Sequence, residues 1–136
     1  MTKGDRQLLL QDLCARLPYG VKIDKVLYGA TTLNERDIES FRKGFDDILM
    51  PYLRPMSSMT KEQFSKLKEY SGLIYDQLDL ASFQDGTYKC LDFYLSEVPA
   101  YVVVLVFDWL NAHHFDYRGL IESGLALEAL ENMYND

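Results

Sequence analysis

The chain is poor in cysteine and proline and has no long apolar run. Its two cysteines, Cys14 and Cys90, form no C-x-x-C motif and cannot complete a four-ligand zinc site alone. Cys14 lies among leucines, which favours a small buried thiol. The longest apolar run covers residues 98–107, whereas a membrane-spanning helix needs about twenty residues. The charged N-terminus is also unlike a signal peptide. We therefore expect a soluble, cytoplasmic protein without disulfides.

Motifs that would indicate catalysis are missing as well. There is no G-x-S-x-G, no glycine-rich phosphate loop and no H-x-E with paired cysteines. The two histidines, His113 and His114, are adjacent, so on a helix they point about 100° apart and chelate a metal poorly. We predict no catalytic residue, no cofactor and no metal site. The enzyme alternative needs a cleft in which a histidine meets a second titratable group, and a pairing of Cys90 with a histidine stays open.

Positive charge is scarce in the second half of the chain. Residues 1–70 contain 12 basic and 10 acidic residues, whereas residues 71–136 contain 2 and 11. Such an acidic segment repels nucleic acid and favours basic partners, so we predict no direct nucleic-acid binding. The simplest interpretation is a solvated surface. The alternative is an acidic nucleic-acid mimic that inhibits a host enzyme, which requires these acids to cluster on one exposed face.

Periodicity and capping residues predict the first elements. A helix is expected over about 5–17, with Asp5 as its cap and PYG at 18–20 as its end. Residues 21–33 alternate as two short strands. A short helix follows, capped by Asn34 and ending near Lys43, although strand stays open for residues 34–49. Residues 50–59 are predicted to be a loop because prolines disfavour regular structure.

The remaining elements are predicted in the same way. Thr60 and Gln63 form a capping box for a helix over 61–70, with Phe64, Leu67 and Tyr70 facing inward. Ser96 is the expected cap of a buried helix over 97–113 that is apolar nearly all round. Strand and helix both stay open for residues 87–107, and the tail is expected to add a helical turn or two.

Together these elements indicate one α+β domain over residues 1–136. A small antiparallel sheet near residues 21–33 is expected to pack against several helices, with the helix over 97–113 at the centre.

Two segments combine aromatic, polar and flexible side chains and are candidate interaction surfaces: PYLRPMSSM and HHFDYRGLI. The candidate residues are Tyr52, Arg54, Met56, Met59, His114, Asp116, Tyr117 and Arg118. We interpret residues 109–121 mainly as a structural clasp, in which Trp109 ends the core face of a helix and Gly119 lets the chain return to the core. The alternative is that Arg118 is presented to an acidic ligand instead of pairing with Asp108 or Asp116.

Three blocks, LCARLPYG (13–20), PYLRPMSSMT (51–60) and DWLNAHHFDYRGLIESGLALEA (108–129), resemble a family of short uncharacterised proteins from gut anaerobic bacteria. That family is linked to the phages and mobile elements of these bacteria and has no assigned activity, cofactor or catalytic residue to carry over. The family tail commonly reads LALEAPEGMY, whereas residues 125–134 read LALEALENMY, and this change favours more helix here. The resemblance implies an intracellular accessory protein borne by a phage or mobile element. We therefore expect a non-catalytic accessory or interaction protein with a protein partner.

Overall fold

The computed structural model describes residues 1–25, 28–44, 49–74, 79–85 and 95–134. These residues contain helices and a small mixed sheet, which confirms the predicted α+β class. The described helices are α1 (Lys3–Arg16), α2 (Glu35–Arg42), α3 (Lys61–Ser71), α4 (Leu80–Gln84) and α5 (Ala100–Ala112). The described strands are β1 (Lys22–Lys25), β2 (Gly29–Thr32), β3 (Met50–Pro55), β4 (Phe115–Asp116) and β5 (Leu127–Glu128).

The chain divides into two compact units. The first unit contains Met1–Leu53 and Leu120–Asp136, and the second contains Arg54–Gly119. A single domain over residues 1–136 stays a prediction.

In the first unit, α1 begins with a capping box. The Thr2 hydroxyl accepts a hydrogen bond from the Asp5 backbone at 3.0 Å, and the Asp5 carboxylate accepts one from the Thr2 backbone at 3.0 Å. The prediction of Asp5 as the cap was wrong, because the helix starts at Lys3 with Thr2 as its cap and Asp5 is the reciprocal partner. That backbone hydrogen bond lowers the pKa of Asp5 below its ordinary value. The helix ends where predicted, in a short 3₁₀ turn over Leu17–Tyr19 followed by Gly20 with φ of 71°.

The sheet of the first unit is mixed. β1 and β2 are antiparallel, with Ile23 opposite Thr31, and this confirms the predicted pair near residues 21–33. β1 also pairs antiparallel with β3, whereas β5 pairs with β3 in parallel. The parallel pairing has no local sequence signal, because its two strands are far apart along the chain.

The helix α2 is capped as predicted. The Asn34 side chain accepts from the Asp37 backbone at 2.9 Å, and the Asp37 carboxylate accepts from the Asn34 backbone at 3.1 Å. The same carboxylate forms a 2.7 Å ion pair with Lys25 of β1. Asp37 therefore both starts the helix and ties it to the sheet.

A buried ion pair lies beside the apolar core of the first unit. The Arg16 Nε donates to the Asp12 Oδ2 at 3.0 Å, and both side chains are completely buried. Leu9 and Leu13 lie on the same face of α1, whereas Cys14 points to the other side and is exposed, contrary to expectation. The buried apolar residues are Leu9, Leu13, Val21, Ile23, Leu33, Phe41, Leu49, Leu53, Leu120, Leu125 and Ala126.

The second unit has its own core, built around packed helices α3 and α5. Its buried apolar residues are Met56, Met59, Phe64, Leu67, Leu73, Phe83, Leu95, Val98, Val102, Val106, Trp109, Leu110, Phe115 and Tyr117. The capping box of Thr60 and Gln63 at the start of α3 is confirmed. The inward position of Tyr70 was wrong, since Tyr70 is exposed and Ser71 is buried instead. At 100° per residue, Ser71 returns to the face of Phe64 and Tyr70 does not.

The predicted loop over residues 50–59 was wrong. Residues 50–55 form β3, and a 3₁₀ turn over Met56–Ser58 follows. Pro55 has φ of −59° and ψ of 143°, an extended conformation that suits the end of a strand.

Two further boundaries differ from expectation. The helix α5 is capped by Pro99 and not by Ser96, because an extended proline fits the residue before a helix. Within residues 120–134 the chain forms turns and β5 and not helix. The Tyr134 hydroxyl accepts a hydrogen bond from the Lys22 backbone at 2.9 Å and donates one to the Tyr52 carbonyl at 2.7 Å, which holds the tail on the sheet of the first unit.

Residues 87–94, left open between strand and helix, lie outside the described residues.

We predict that Asp12→Asn destabilises the protein by about 3–5 kcal/mol, because it removes one charge of a buried pair. The matched control is Glu62→Gln, which removes an exposed pair with Lys66 at the same helical spacing and at 3.6 Å. Exposed pairs contribute little, so the control should unfold close to the parent midpoint. Urea unfolding of both variants measures the difference, and equal midpoints would contradict the structural role of the buried pair.

Candidate functional site

The structure brings together parts of the two segments that the sequence analysis treated separately. β3 and β4 pair in parallel, with Arg54 opposite Phe115. The Arg54 backbone donates to the His114 carbonyl at 2.7 Å, and its guanidinium donates to the His113 carbonyl at 3.4 Å. The same guanidinium lies 5.7 Å from the centre of the Phe115 ring. Arg54 is therefore held by the turn that follows α5.

That turn is stabilised by aromatic contacts. The Trp109 ring stacks on His113 at 4.0 Å and on Phe115 at 5.9 Å between ring centres. The Tyr117 hydroxyl donates to the Asn111 side chain at 2.9 Å, and the Arg118 guanidinium lies 4.6 Å from the centre of the Tyr117 ring. These contacts join the end of α5 to the segment after it, which supports the clasp interpretation.

The backbone of the turn also fits a clasp. His113 caps the end of α5, and its N–H donates to the Trp109 carbonyl at 3.0 Å. His114 has φ of 64°, in the left-handed region that favours glycine, and its side chain is buried. Gly119 has φ of 74°, and Leu120 after it is fully buried. The predicted bend at Gly119 and return to a core at Leu120 are confirmed.

Most of the predicted surface residues have little exposure. Met56, Met59, His114, Asp116 and Tyr117 are buried. Met56, Met59 and Tyr117 belong to the buried core of the second unit. The interaction role of the whole set stays a prediction.

The other three predicted surface residues, Tyr52, Arg54 and Arg118, are half-buried. Tyr52 lies in the first unit, where its carbonyl is bound by the tail. Burial raises the pKa of the Tyr52 hydroxyl above its ordinary value, and the nearby Asp24 carboxylate raises it further.

Sequence reasoning missed a different exposed surface, on α5. Tyr101 and Val104 are 71% and 58% exposed, and Asp108 on the same side of the helix is half-exposed. We call Tyr101, Val104 and Asp108 the outer strip of α5. The buried apolar residues of the helix lie on its opposite side: Val102, Val106, Trp109 and Leu110. The sequence predicted a helix buried on all sides. The exposed Val104 and the buried Val102 and Val106 are the same residue type, so polarity does not distinguish the two sides.

In the parts of the chain that the structure describes, no group of three His, Cys, Asp or Glu side chains is arranged to hold a metal ion. No helix among these residues is long and apolar enough to cross a membrane. Cys90, whose pairing with a histidine the sequence leaves open, lies outside the described residues.

Comparison with known proteins gives no match: no family model, curated protein or solved structure is similar to this chain.

We predict that Trp109→Ala destabilises the protein by about 3–5 kcal/mol, because Trp109 is the aromatic centre of the clasp and is almost completely buried. Tyr117→Phe is the milder control, since it keeps the ring and removes only the hydrogen bond to Asn111, which costs about 1 kcal/mol. Chemical denaturation of the two variants tests the order of these losses.

Arg118→Ala distinguishes a clasp from a binding site. In a clasp, loss of the cation–π contact with Tyr117 lowers stability by roughly 0.5–1 kcal/mol. A variant that is as stable as the parent but no longer binds a partner would contradict the clasp interpretation.

Proposed function

We propose that this protein is a non-catalytic interaction protein that binds another protein through the outer strip of α5. This proposal rests on the exposure of two large apolar side chains, Tyr101 and Val104. Tyrosine is enriched at protein interfaces because its ring buries apolar area while its hydroxyl stays near water. The neighbouring Pro99 and Ala100, at the start of the helix, are also exposed and extend the apolar surface.

The chemistry of the strip indicates the kind of partner. The only charged residues between 95 and 112 are Glu97 and Asp108, both acidic. They lie on either side of Tyr101 and Val104 along the chain, and Glu97 is exposed. A complementary partner has an apolar ridge flanked by lysine or arginine, as a basic amphipathic helix does. The occupant that we propose is such a helical segment of another protein.

The division of charge supports this proposal over the acidic mimic. The first unit has 8 basic and 12 acidic residues, and the second has 6 and 9, so their net charges are −4 and −3. The acidic residues of 71–136 are divided between both units, and Asp116 is buried. A mimic needs a dense exposed acidic face, whereas the proposed surface needs only Asp108 of the outer strip and the nearby Glu97.

We further propose that the protein acts in the cytoplasm as an accessory factor of a phage or mobile element. The resemblance of residues 13–20, 51–60 and 108–129 to such proteins supports this role.

The proposal can be tested with a designed helical peptide that places leucine on one face and lysine beside it. We predict that Tyr101→Gln/Val104→Gln weakens binding of this peptide at least tenfold, because two apolar side chains leave the interface. Ile74→Gln is the matched control, since Ile74 is an exposed aliphatic residue of the same unit outside α5. Calorimetric titration measures all three affinities, and thermal unfolding checks that the variants stay folded.

Equal loss of binding in the control variant would contradict the proposed strip. Equal binding of a peptide with glutamate in place of lysine would contradict the basic partner. Sedimentation of the protein alone tests a second copy as the occupant, and a dimer that the double substitution dissociates would overturn the proposed heterologous partner.

A further inference from the structure

A basic groove lies between α1 and α2 in the first unit. It has a volume of about 190 Å³. Its described lining residues are Lys3, Arg6, Gln7, Leu10, Phe41 and Arg42. Leu10 and Phe41 supply an apolar wall, and three cations and an amide supply the polar part. This combination is unusual in a unit of net charge −4, because no carboxylate is among the described lining residues.

Two of the three cations of the groove, Arg6 and Arg42, are held in place by neighbouring groups. The Arg6 Nη2 donates to the Phe41 carbonyl at 2.7 Å, and its guanidinium lies 4.3 Å from the centre of the Phe41 ring. Arg42 forms a 2.5 Å ion pair with Glu39 of the same helix. A hydrogen bond from Lys43, and then the charge of Arg42, lowers the pKa of Glu39, so this carboxylate stays ionised. Held side chains lose less conformational entropy when a ligand binds.

Local charge in the groove favours an anion. Asp5 is next to Arg6 in sequence and keeps its negative charge, but its carboxylate binds the Thr2 backbone N–H and is not among the lining residues of the groove. Glu39 is shared by Arg42 and Lys43, at 2.5 and 3.4 Å. Lys3 and Arg6 lie in the first turns of α1, where the helix dipole adds positive potential. Asp46 and Asp47, which follow Arg42 in the sequence, lie outside the described residues.

We propose that this groove binds a small phosphate or carboxylate that carries a short apolar or aromatic group. Lysine and arginine donate charge-assisted hydrogen bonds to the anion, and Leu10 and Phe41 contact the apolar group. The volume is below the roughly 300–1,000 Å³ of pockets for drug-sized ligands, so the ligand is small. The groove shares no residue with the outer strip of α5, and the proposal does not depend on the proposed protein partner.

The probe is phenyl phosphate. Inorganic phosphate, which lacks the ring, and phenol, which lacks the phosphate, are the comparison ligands. We expect phenyl phosphate to bind at least tenfold more tightly than either half, and more weakly as salt concentration rises, since exposed charges are screened. The double variant Lys3→Gln/Arg42→Gln should lose at least tenfold in affinity, about the effect of one charge-assisted hydrogen bond. Both side chains are exposed, so the variant keeps the fold and also keeps Arg6 on Phe41.

The matched control is Arg36→Gln, since Arg36 is an exposed arginine of α2 that does not line the groove. Its affinity for phenyl phosphate should equal that of the parent. Titration of the parent protein with phenyl phosphate, followed by NMR, should change the chemical shifts of the Gln7, Leu10 and Phe41 amides. No saturable binding, equal binding of inorganic phosphate, or equal loss in the Arg36 variant would each overturn the proposal.

Discussion

The backbone of strand β3 is the constraint on which most of the described fold depends. Within the first unit, β3 pairs with β1 and with β5, and within the second its last two residues pair with β4. Every described strand other than β2 therefore pairs directly with β3, and β2 pairs with β1. Buried backbone N–H and C=O groups need partners, so the position of β3 determines where residues 115–116 and 127–128 lie.

The two cores depend on different kinds of interaction. In the first unit, leucines of α1 pack beside an ion pair that is completely removed from water. Such a pair gives geometric specificity at a considerable desolvation cost. In the second unit, aromatic side chains around Trp109 fix the path of the chain after α5. The clasp leaves one side of α5 exposed, and the proposed interaction surface lies there.

Local signals in the sequence predicted the local parts of this fold. Asn34 and the pair of Thr60 and Gln63 cap their helices as expected, because a capping box involves residues only three apart. The alternation of residues 21–33 predicted the antiparallel pair. β3 was missed because Pro51 and Pro55 indicate a loop. Its parallel partners are distant in sequence, and a proline still supplies a carbonyl and an extended φ.

The candidate sites were harder to predict for the same reason. Tyr101 and Val104 belong to a continuous apolar run, and periodicity separates two faces of a helix only when their residues differ in polarity. Asp108 was the available signal, since it places an acidic residue on the side of Tyr101. The basic groove joins Arg6 to Arg42, and only the packing of α1 on α2 brings them together. Conversely, Met56 and Met59 were predicted at a surface because strand β3 and the turn after it were interpreted as a loop.

Residues 50–55 form a paired strand and not a loop. Amide hydrogen exchange, followed residue by residue by NMR, tests it most directly. The Arg54 N–H donates to the His114 carbonyl at 2.7 Å, and the Ala129 N–H donates to the Leu53 carbonyl at 2.8 Å. We predict that both amides exchange as slowly as those of the buried helices, since strand hydrogen bonds open only with the surrounding core. Exchange of these two amides at the rate of an exposed loop would contradict the account.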